Sequence, residues 1–214
     1  MPPLAAVEFD EAAVHLRLTS PHPDAPPPWQ VGADGARWMR TIDATPASRG
    51  GGVPSGLTAV GLHGRRRTLV DLTESGTLVA LVGAQKDRLE VAHRWIDERS
   101  QAPWSRGLPV MLVDLPELAT DATRPCSGSQ LNSMVVAGGE GIAFLRDAPG
   151  GAAHDDLATA LRAPGCRWAV VVLGAARARW IFVARPDGAV TCEAFPARPV
   201  DDSVLAGLVP GRSA

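Results

Sequence analysis

The chain is poor in cysteine and has no tyrosine, and the cysteine pattern already excludes two classes of protein. Its three cysteines, Cys126, Cys166 and Cys192, are far apart and odd in number, and none belongs to a C-x-x-C pair. Disulfide frameworks and zinc sites require paired or closely spaced cysteines. The histidines likewise form no H-x-x-x-H pair. We therefore expect reduced thiols, no disulfide framework and no metal site.

Long apolar runs are also missing. No run approaches the ~20 apolar residues that a membrane-spanning helix needs. The first ten residues, MPPLAAVEFD, lack the basic and apolar regions of a signal peptide. The sequence therefore predicts a cytoplasmic protein that does not insert into a membrane.

Excess positive charge is absent as well. The formal net charge is −2, so the chain as a whole does not attract a phosphate backbone. Arg65, Arg66 and Arg67 form the only dense basic cluster, between two strand-like segments. We expect a solvated hairpin turn there, with DNA contact as the alternative. Lys86 is the only lysine among the 21 basic residues, a bias typical of a high-GC bacterium.

What is present suffices for one hydrophobic core, since 45% of the 214 residues are hydrophobic and 21% are charged. Residues 7–18 alternate between apolar and polar around Asp10 and Glu11, which predicts a β-hairpin. A five-proline spacer, a second weak strand pair over residues 29–42 and a glycine-rich loop follow. Residues 1–56 are therefore predicted to be hairpins and a Pro/Gly-rich linker that pack on the main domain.

The remainder of the chain predicts an α/β domain over residues 57–198 and a flexible tail over 199–214. TAVGLHG and TLVDL resemble a hairpin, and near-continuous apolar runs predict the buried strands TLVALVG, LPVMLVDL, GIAFLRD and CRWAVVVLG. Helices are predicted over residues 87–100 and 153–163, and Asp187-Gly188 marks a closing hairpin. We therefore expect a mainly parallel sheet covered by helices, with antiparallel β-hairpins at the N-terminus and the C-terminus.

One junction has the strand–turn–helix layout of a phosphate-binding loop. TLVALVG runs through Gly83 into the amphipathic segment AQKDRLEVAHRWID. A P-loop requires G-x-x-x-x-G-K-[ST], whereas Gly83 is followed by Ala84, Gln85, Lys86 and Asp87. The second glycine and the metal-binding hydroxyl are missing. Nucleotide binding through Gly83 and Lys86 therefore remains only an alternative.

Further candidate residues lie at predicted strand ends and loops. Asp114 follows the apolar run VMLV in the manner of a Walker-B aspartate, and Glu117 is a candidate water-orienting base. CSGSQLNS offers serines without the G-x-S-x-G pattern of a nucleophile elbow, so it is predicted to be a loop. Arg177, Arg179 and Trp180 combine the residue types that dominate protein interfaces and are the preferred interaction surface.

The order of these segments resembles one known domain. The hairpin, the proline-rich gap, TAVGLHGRRRTLVDLTESGTLVALVG, the turn APWS, GIAFLRDAP and CRWAVVVLGAARARWIFVARPDG are similar to the α/β domain of actinobacterial proteins that carry LysM and bacterial-transcriptional-activator modules. That domain is itself similar to a degenerate FtsK/HerA-type P-loop domain. The resemblance extends over residues 7–195 and implies a scaffold or partner-binding role.

The sequence thus favours a non-catalytic interaction or scaffold module that binds a protein partner and needs no cofactor. The first alternative is a nucleotide-binding protein or weak ATPase that uses Lys86 and Asp114. The second alternative is a DNA-associated regulator that uses the arginine cluster.

Overall fold

The computed structural model describes residues 4–9, 12–41, 57–63, 66–101 and 107–192, which form two β-sheets and three α-helices. The first sheet contains β1 (Leu4–Phe9), β2 (Ala13–Leu18), β3 (Gln30–Val31), β4 (Arg37–Thr41), β5 (Leu57–His63) and β6 (Arg66–Asp71). Its strands are all antiparallel, in the order β3-β4-β2-β1-β6-β5. Both predicted N-terminal strand pairs and the TAVGLHG hairpin are therefore confirmed.

The second sheet is mostly parallel. It contains β7 (Leu78–Val82), β8 (Val110–Val113), β9 (Thr123–Pro125), β10 (Glu140–Leu145), β11 (Arg167–Val172), β12 (Trp180–Ala184) and β13 (Val190–Cys192). Their order is β13-β12-β7-β11-β10-β8-β9, and only β13 is antiparallel to its neighbour. The helices are α1 (Gln85–Gln101), α2 (Gly128–Val136) and α3 (Gly151–Leu161).

The two faces of the parallel sheet are covered by different elements. Val79 and Leu81 of β7 point into a core shared with α1 and with the first sheet, while Leu78 points into a second core under α2 and α3. Burial on both faces explains why the central strands are nearly continuous apolar runs. The α/β prediction is confirmed at this level: a mostly parallel sheet, an antiparallel sheet and three helices in the described residues.

The boundary between the sheets differs from the predicted division at residue 57. β5 pairs with β6, and β6 pairs with β1, so both strands belong to the antiparallel sheet. Ala6 lies opposite Val70, and both are fully buried against the core around α1. The short apolar TLVDL strand therefore finds its partner in the N-terminal hairpin, a long-range pairing that local sequence does not specify. The predicted tail, residues 199–214, and the APWS turn lie outside the described residues.

The segment SGSQ is not the predicted loop but the start of helix α2. Ser127 is the N-cap: its Oγ accepts from the Gln130 N–H at 3.2 Å, and the Gln130 side chain accepts from the Ser127 N–H at 2.8 Å. This reciprocal capping box satisfies two backbone donors that the first helical turn leaves free. The serine-rich phrase is therefore a helix start, not a loop. In the described residues, no helix combines the length and apolar character needed to cross a membrane.

The buried face of α1 is mainly apolar. Trp95 and Val91 are fully buried together with Ala92 and Ile96, whereas His93 is only half-buried and its Nε2 lies 3.1 Å from the Glu117 carbonyl oxygen. The helix begins two residues before the predicted start.

Asp71 is the last residue of β6 in the first sheet. Its Oδ1 accepts from the Thr73 N–H at 3.1 Å and from the Thr73 hydroxyl at 2.6 Å, and so caps the 3-10 helix Leu72–Ser75. Aspartate is a preferred N-cap residue because its side-chain oxygen can accept such a hydrogen bond.

We expect Glu74→Gln, in the same 3-10 helix, to raise the melting temperature at pH 7. Burial raises the pKa of Glu74 above 4.5, and the Asp71 carboxylate adds to the shift. A carboxyl group with a raised pKa binds more protons in the folded state, so its penalty is complete above the raised pKa and absent below 4.5. Solvent reaches part of the side chain, which should keep the gain below about 1 kcal/mol.

The measurement is thermal unfolding of both proteins between pH 4 and pH 8. The difference should shrink as the pH falls. Glu90→Gln, an exposed change on α1, serves as the control. A Glu74→Gln gain that is the same at every pH would contradict the assignment to a raised carboxyl pKa.

Candidate functional site

The carboxyl end of β7 is the place where an open α/β sheet of this topology would bind a ligand. The connection from β7 carries α1 on one face, whereas α2 and α3 pack on the opposite face. Ligands of such sheets bind outside the carboxyl ends of the strands, where the connections diverge. The predicted phosphate loop therefore occupies the correct position in the fold.

The loop itself is too short to surround a phosphate. β7 ends at Val82 and α1 begins at Gln85, so only Gly83 and Ala84 connect the strand to the helix. A P-loop places its glycine-rich segment between strand and helix and wraps its backbone N–H groups around the phosphates. Two residues do not provide that cradle. Lys86 is exposed on the first turn of α1.

Gly83 is required for packing. Its φ is 125°, and a Cβ at this position would lie 2.5 Å from the Ala184 carbonyl oxygen. The end of β7 therefore approaches the end of β12 more closely than any side chain permits.

The side chain of Arg88 connects α1 to the end of β11 beside this turn. Arg88, in the first turns of α1, donates from Nη1 to the carbonyl oxygen of Leu173, which directly follows β11. A Cβ on Gly174 would lie 3.4 Å from the same Nη1. The guanidinium group thus joins α1 to the end of the strand next to β7. Its position alongside the predicted anion site was not apparent from the sequence, because it depends on β11 being the neighbour of β7.

The two candidate acids, Asp114 and Glu117, do not lie at this turn. Asp114 and Glu117 follow β8, and β11 and β10 lie between β8 and β7. Three strand spacings of ~4.8 Å separate the two strand ends by ~14 Å. Lys86 and Asp114 therefore do not form one compact Walker-type site in this sheet.

Both acids lie instead in a turn held by Arg146, the residue after β10. Arg146 Nε donates to the Asp114 carbonyl oxygen at 2.7 Å, and its Nη2 donates to the two Glu117 carboxylate oxygens at 2.6 and 2.7 Å. A hydrogen bond from its own backbone N–H and the Arg146 contact lower the pKa of Glu117. A carboxylate held ionised and already paired is a poor proton acceptor. The geometry favours a structural role for Glu117.

We expect Asp114→Gly to stabilise the protein and Asp114→Ala to destabilise it. Asp114 is the one described non-glycine residue with positive φ, at 57°. In this left-handed conformation the Cβ of other residues clashes with the backbone, at a cost of about 1–2 kcal/mol. Glycine has no Cβ and avoids that cost. The gain from glycine should be about 0.5–1 kcal/mol because its larger unfolded-state entropy offsets part of the relief.

Urea unfolding of the three proteins measures this effect. If both substitutions destabilise the protein equally, the Asp114 carboxylate contributes an interaction that the backbone geometry does not reveal.

A shallow groove of about 460 Å³ lies beyond the ends of β10 and β11. His154 of α3 stands in it, with Nδ1 3.2 Å from Asp155 Oδ1 and Nε2 3.4 Å from the Arg177 carbonyl oxygen. The lining combines small residues with three polar or charged ones: Ala148, Pro149, Gly151, His154, Asp155, Ala175, Ala176 and Arg177. This groove is not predicted from the sequence, because α3 and β11 separate its two loops along the chain.

The predicted interface residues lie in and after one of these loops. Arg177 and Arg179 are exposed, and the Arg179 N–H donates to Thr77 Oγ1 at 3.3 Å. Trp180 is only 3% exposed and packs into the core beneath α1, so its ring is not the exposed anchor that the sequence suggested. Alternation along β12 directs Trp180 inward.

Other candidate chemistry is also accounted for structurally. Burial raises the pKa of the Cys126 thiol, which disfavours the reactive thiolate. Within the described ranges, no three of His, Cys, Asp and Glu are grouped to hold a metal ion. In the arginine cluster, Arg66 and Arg67 lie in β6, while Arg65 and the side chains of all three lie outside what the structure describes.

Comparison of the chain with protein families, with curated proteins and with solved structures found no match.

Proposed function

We propose that the chain is a non-catalytic interaction module built on an α/β scaffold that resembles a nucleotide-binding domain. The observation that carries the proposal is the connection from β7 to α1. It has two residues, and Arg88 beside it is bonded to the Leu173 carbonyl oxygen. The turn offers no phosphate cradle, and the nearest candidate acids follow a strand ~14 Å away.

The groove beside α3 is the surface that best suits a protein partner. It lies at the carboxyl ends of parallel strands, where α/β sheets bind ligands. Its lining combines small apolar residues with Asp155 and Arg177. Arginine is enriched among the residues that dominate binding energy in protein interfaces. The expected ligand is a short protein segment that inserts an apolar side chain between groups of opposite charge.

The first test addresses nucleotide binding. Thermal unfolding with increasing Mg-ATP should show no shift for the wild-type protein or for Lys86→Ala. A ligand at ~100 times its dissociation constant would stabilise the fold by about 2.7 kcal/mol. Saturable stabilisation that Lys86→Ala abolishes would favour the nucleotide-binding alternative instead.

The second test addresses the partner. Cross-linked complexes captured from the source cell with wild-type protein should contain a protein that Arg177→Glu fails to capture. The matched control is Arg124→Glu, an exposed arginine in β9 at the far edge of the sheet. If Arg177→Glu and Arg124→Glu capture the same proteins as wild type, this groove is not the interface.

A further inference from the structure

Three sulfur-containing residues from different parts of the fold line one groove. Met111 of β8, Cys126 directly after β9 and Met134 of α2 share an open groove of about 440 Å³ beside β9, the edge strand of the parallel sheet. The remaining lining residues are Pro125, Ser129, Gln130 and Ser133. Met111 is buried, whereas Cys126 and Met134 are half-buried, so a small ion can reach the groove from solvent. We call Met111, Cys126 and Met134 the sulfur cluster.

The sheet and the helix bring the sulfur cluster together. The Cys126 N–H donates to the Leu112 carbonyl oxygen at 2.9 Å, which extends the parallel pairing of β9 with β8 by one residue. Met111 belongs to the apolar core between the sheet and helices α2 and α3, and Cys126 and Met134 pack against the same core. Met134 lies one turn after Gln130 on α2, so one face of this helix closes the groove.

The oxygen-bearing side chains of the groove are already engaged at the start of α2. The Gln130 side chain accepts from the Ser127 N–H at 2.8 Å. Ser133 Oγ donates to the Ser129 carbonyl oxygen at 3.0 Å, and Ser129 Oγ lies 3.0 Å from Ser127 Oγ. The thiol and the two thioethers, rather than these oxygens, are therefore the ligands that the groove offers to an ion.

The type of ligand and the charge of the groove together select the ion. Thiolate and thioether sulfur are soft ligands that favour Cu(I), whereas Mg²⁺ and Ca²⁺ require carboxylate and carbonyl oxygen. The lining residues that the structure describes carry no fixed charge. One thiolate and two thioethers supply a single negative charge, which neutralises a monovalent cation. A divalent cation would leave one positive charge uncompensated in a partly apolar site, which is unfavourable.

We propose that the sulfur cluster, Met111, Cys126 and Met134, is a binding site for one Cu(I) ion. On binding, the S–H bond of Cys126 breaks, an S–Cu bond forms and the proton passes to the solvent, while the copper keeps its oxidation state. The two thioether sulfur atoms bind without losing a proton. The three residues are not neighbours in the chain, so no cysteine or histidine spacing predicts this site. The proposal does not depend on the function proposed above.

Anaerobic titration with Cu(I), buffered by the coloured chelator bicinchoninate, tests the proposal. In the full chain carrying Cys166→Ala/Cys192→Ala, Cys126 is the only remaining thiol. This protein should take one equivalent of Cu(I) from the chelator, and the further change Cys126→Ala should abolish that uptake. Met111→Leu and Met134→Leu should each weaken the affinity at least tenfold, because leucine has a similar volume but no sulfur.

Met39→Leu is the matched control, because Met39 is also half-buried but lies in β4 of the first sheet. It should leave the affinity for Cu(I) unchanged. X-ray absorption spectroscopy of the wild-type protein with one equivalent of Cu(I) provides a measurement that needs no variant. It should show three sulfur atoms bonded to the copper, and two in Met134→Leu.

Uptake that stays equally tight in Met111→Leu/Met134→Leu would overturn the proposal and reduce the site to a simple adduct of the Cys126 thiolate. Uptake that survives Cys126→Ala would overturn it as well, since another part of the chain would then hold the copper. The same holds if the wild-type protein takes no copper from the chelator, or if Met39→Leu weakens the affinity as much as Met134→Leu does.

Discussion

Replacing Gly83 with alanine should destabilise the protein by about 3–5 kcal/mol, one of the two largest losses expected for a single substitution in this chain. The φ of 125° costs a non-glycine residue about 1–3 kcal/mol. The added Cβ would also lie 2.5 Å from the Ala184 carbonyl oxygen, so β12 must move away from β7. Overpacking of that kind costs about 1–3 kcal/mol more. Urea unfolding followed by far-ultraviolet circular dichroism measures the sum.

Gly165→Ala separates the two contributions. Gly165 also has positive φ, at 83°, but no atom lies within 4 Å of the Cβ that alanine would add. Its substitution should therefore cost only the backbone term, about 1–2 kcal/mol. Equal losses for Gly83→Ala and Gly165→Ala would mean that the contact with β12 relaxes freely. The close approach would then not be the reason for glycine at position 83.

This glycine shows how far the sequence predicts the site. The apolar run before Gly83 and the amphipathic run after it correctly predict a strand, a turn and a helix, because local periodicity determines both elements. What the glycine contacts depends on β12, about a hundred residues further along the chain. The local pattern therefore predicts the turn correctly but does not show that Gly83 is required by its contact with β12.

Strand order is the information that local patterns lack. Lys86 and Asp114 both follow buried strands and so share one candidate nucleotide site in the sequence, yet β10 and β11 lie between those strands in the sheet. β6 likewise pairs with β1 because Ala6 and Val70 are buried together, not because TLVDL differs from other apolar runs. These pairings are long-range, and only the packing of the complete core selects them.

Short sequence segments and single residue types also predict the wrong structural role, for a related reason. SGSQ has the composition of a loop, but the Ser127 and Gln130 side chains form a capping box that starts α2. Trp180 has the composition of an interface anchor, but the period of two along β12 directs it into the core. In both cases the residue type alone does not determine the role. The hydrogen bonds of Ser127 and Gln130 and the inward orientation of Trp180 do.

Trp95→Ala should destabilise the protein by about 3–5 kcal/mol, because it removes the largest fully buried side chain of the core around α1. The indole ring packs edge-on against Phe182 of β12, with 5.5 Å between the ring centroids and an angle of 86° between the planes. The substitution therefore leaves a cavity where the helix meets the sheet. Far-ultraviolet circular dichroism in urea measures the loss without relying on tryptophan fluorescence.

Trp95→Phe should cost less than half as much. The Trp95 indole N–H has no hydrogen-bond partner among the described residues, so phenylalanine retains an aromatic contact and removes a buried donor that costs about 1–3 kcal/mol. Trp38→Phe is the matched comparison, because the equally buried Trp38 donates from Nε1 to the His22 carbonyl oxygen at 2.9 Å. We expect Trp38→Phe to be more destabilising than Trp95→Phe by about 1 kcal/mol. If the order is reversed, the Trp95 indole nitrogen has a stabilising role in the core, and the contact between α1 and β12 depends on more than apolar packing.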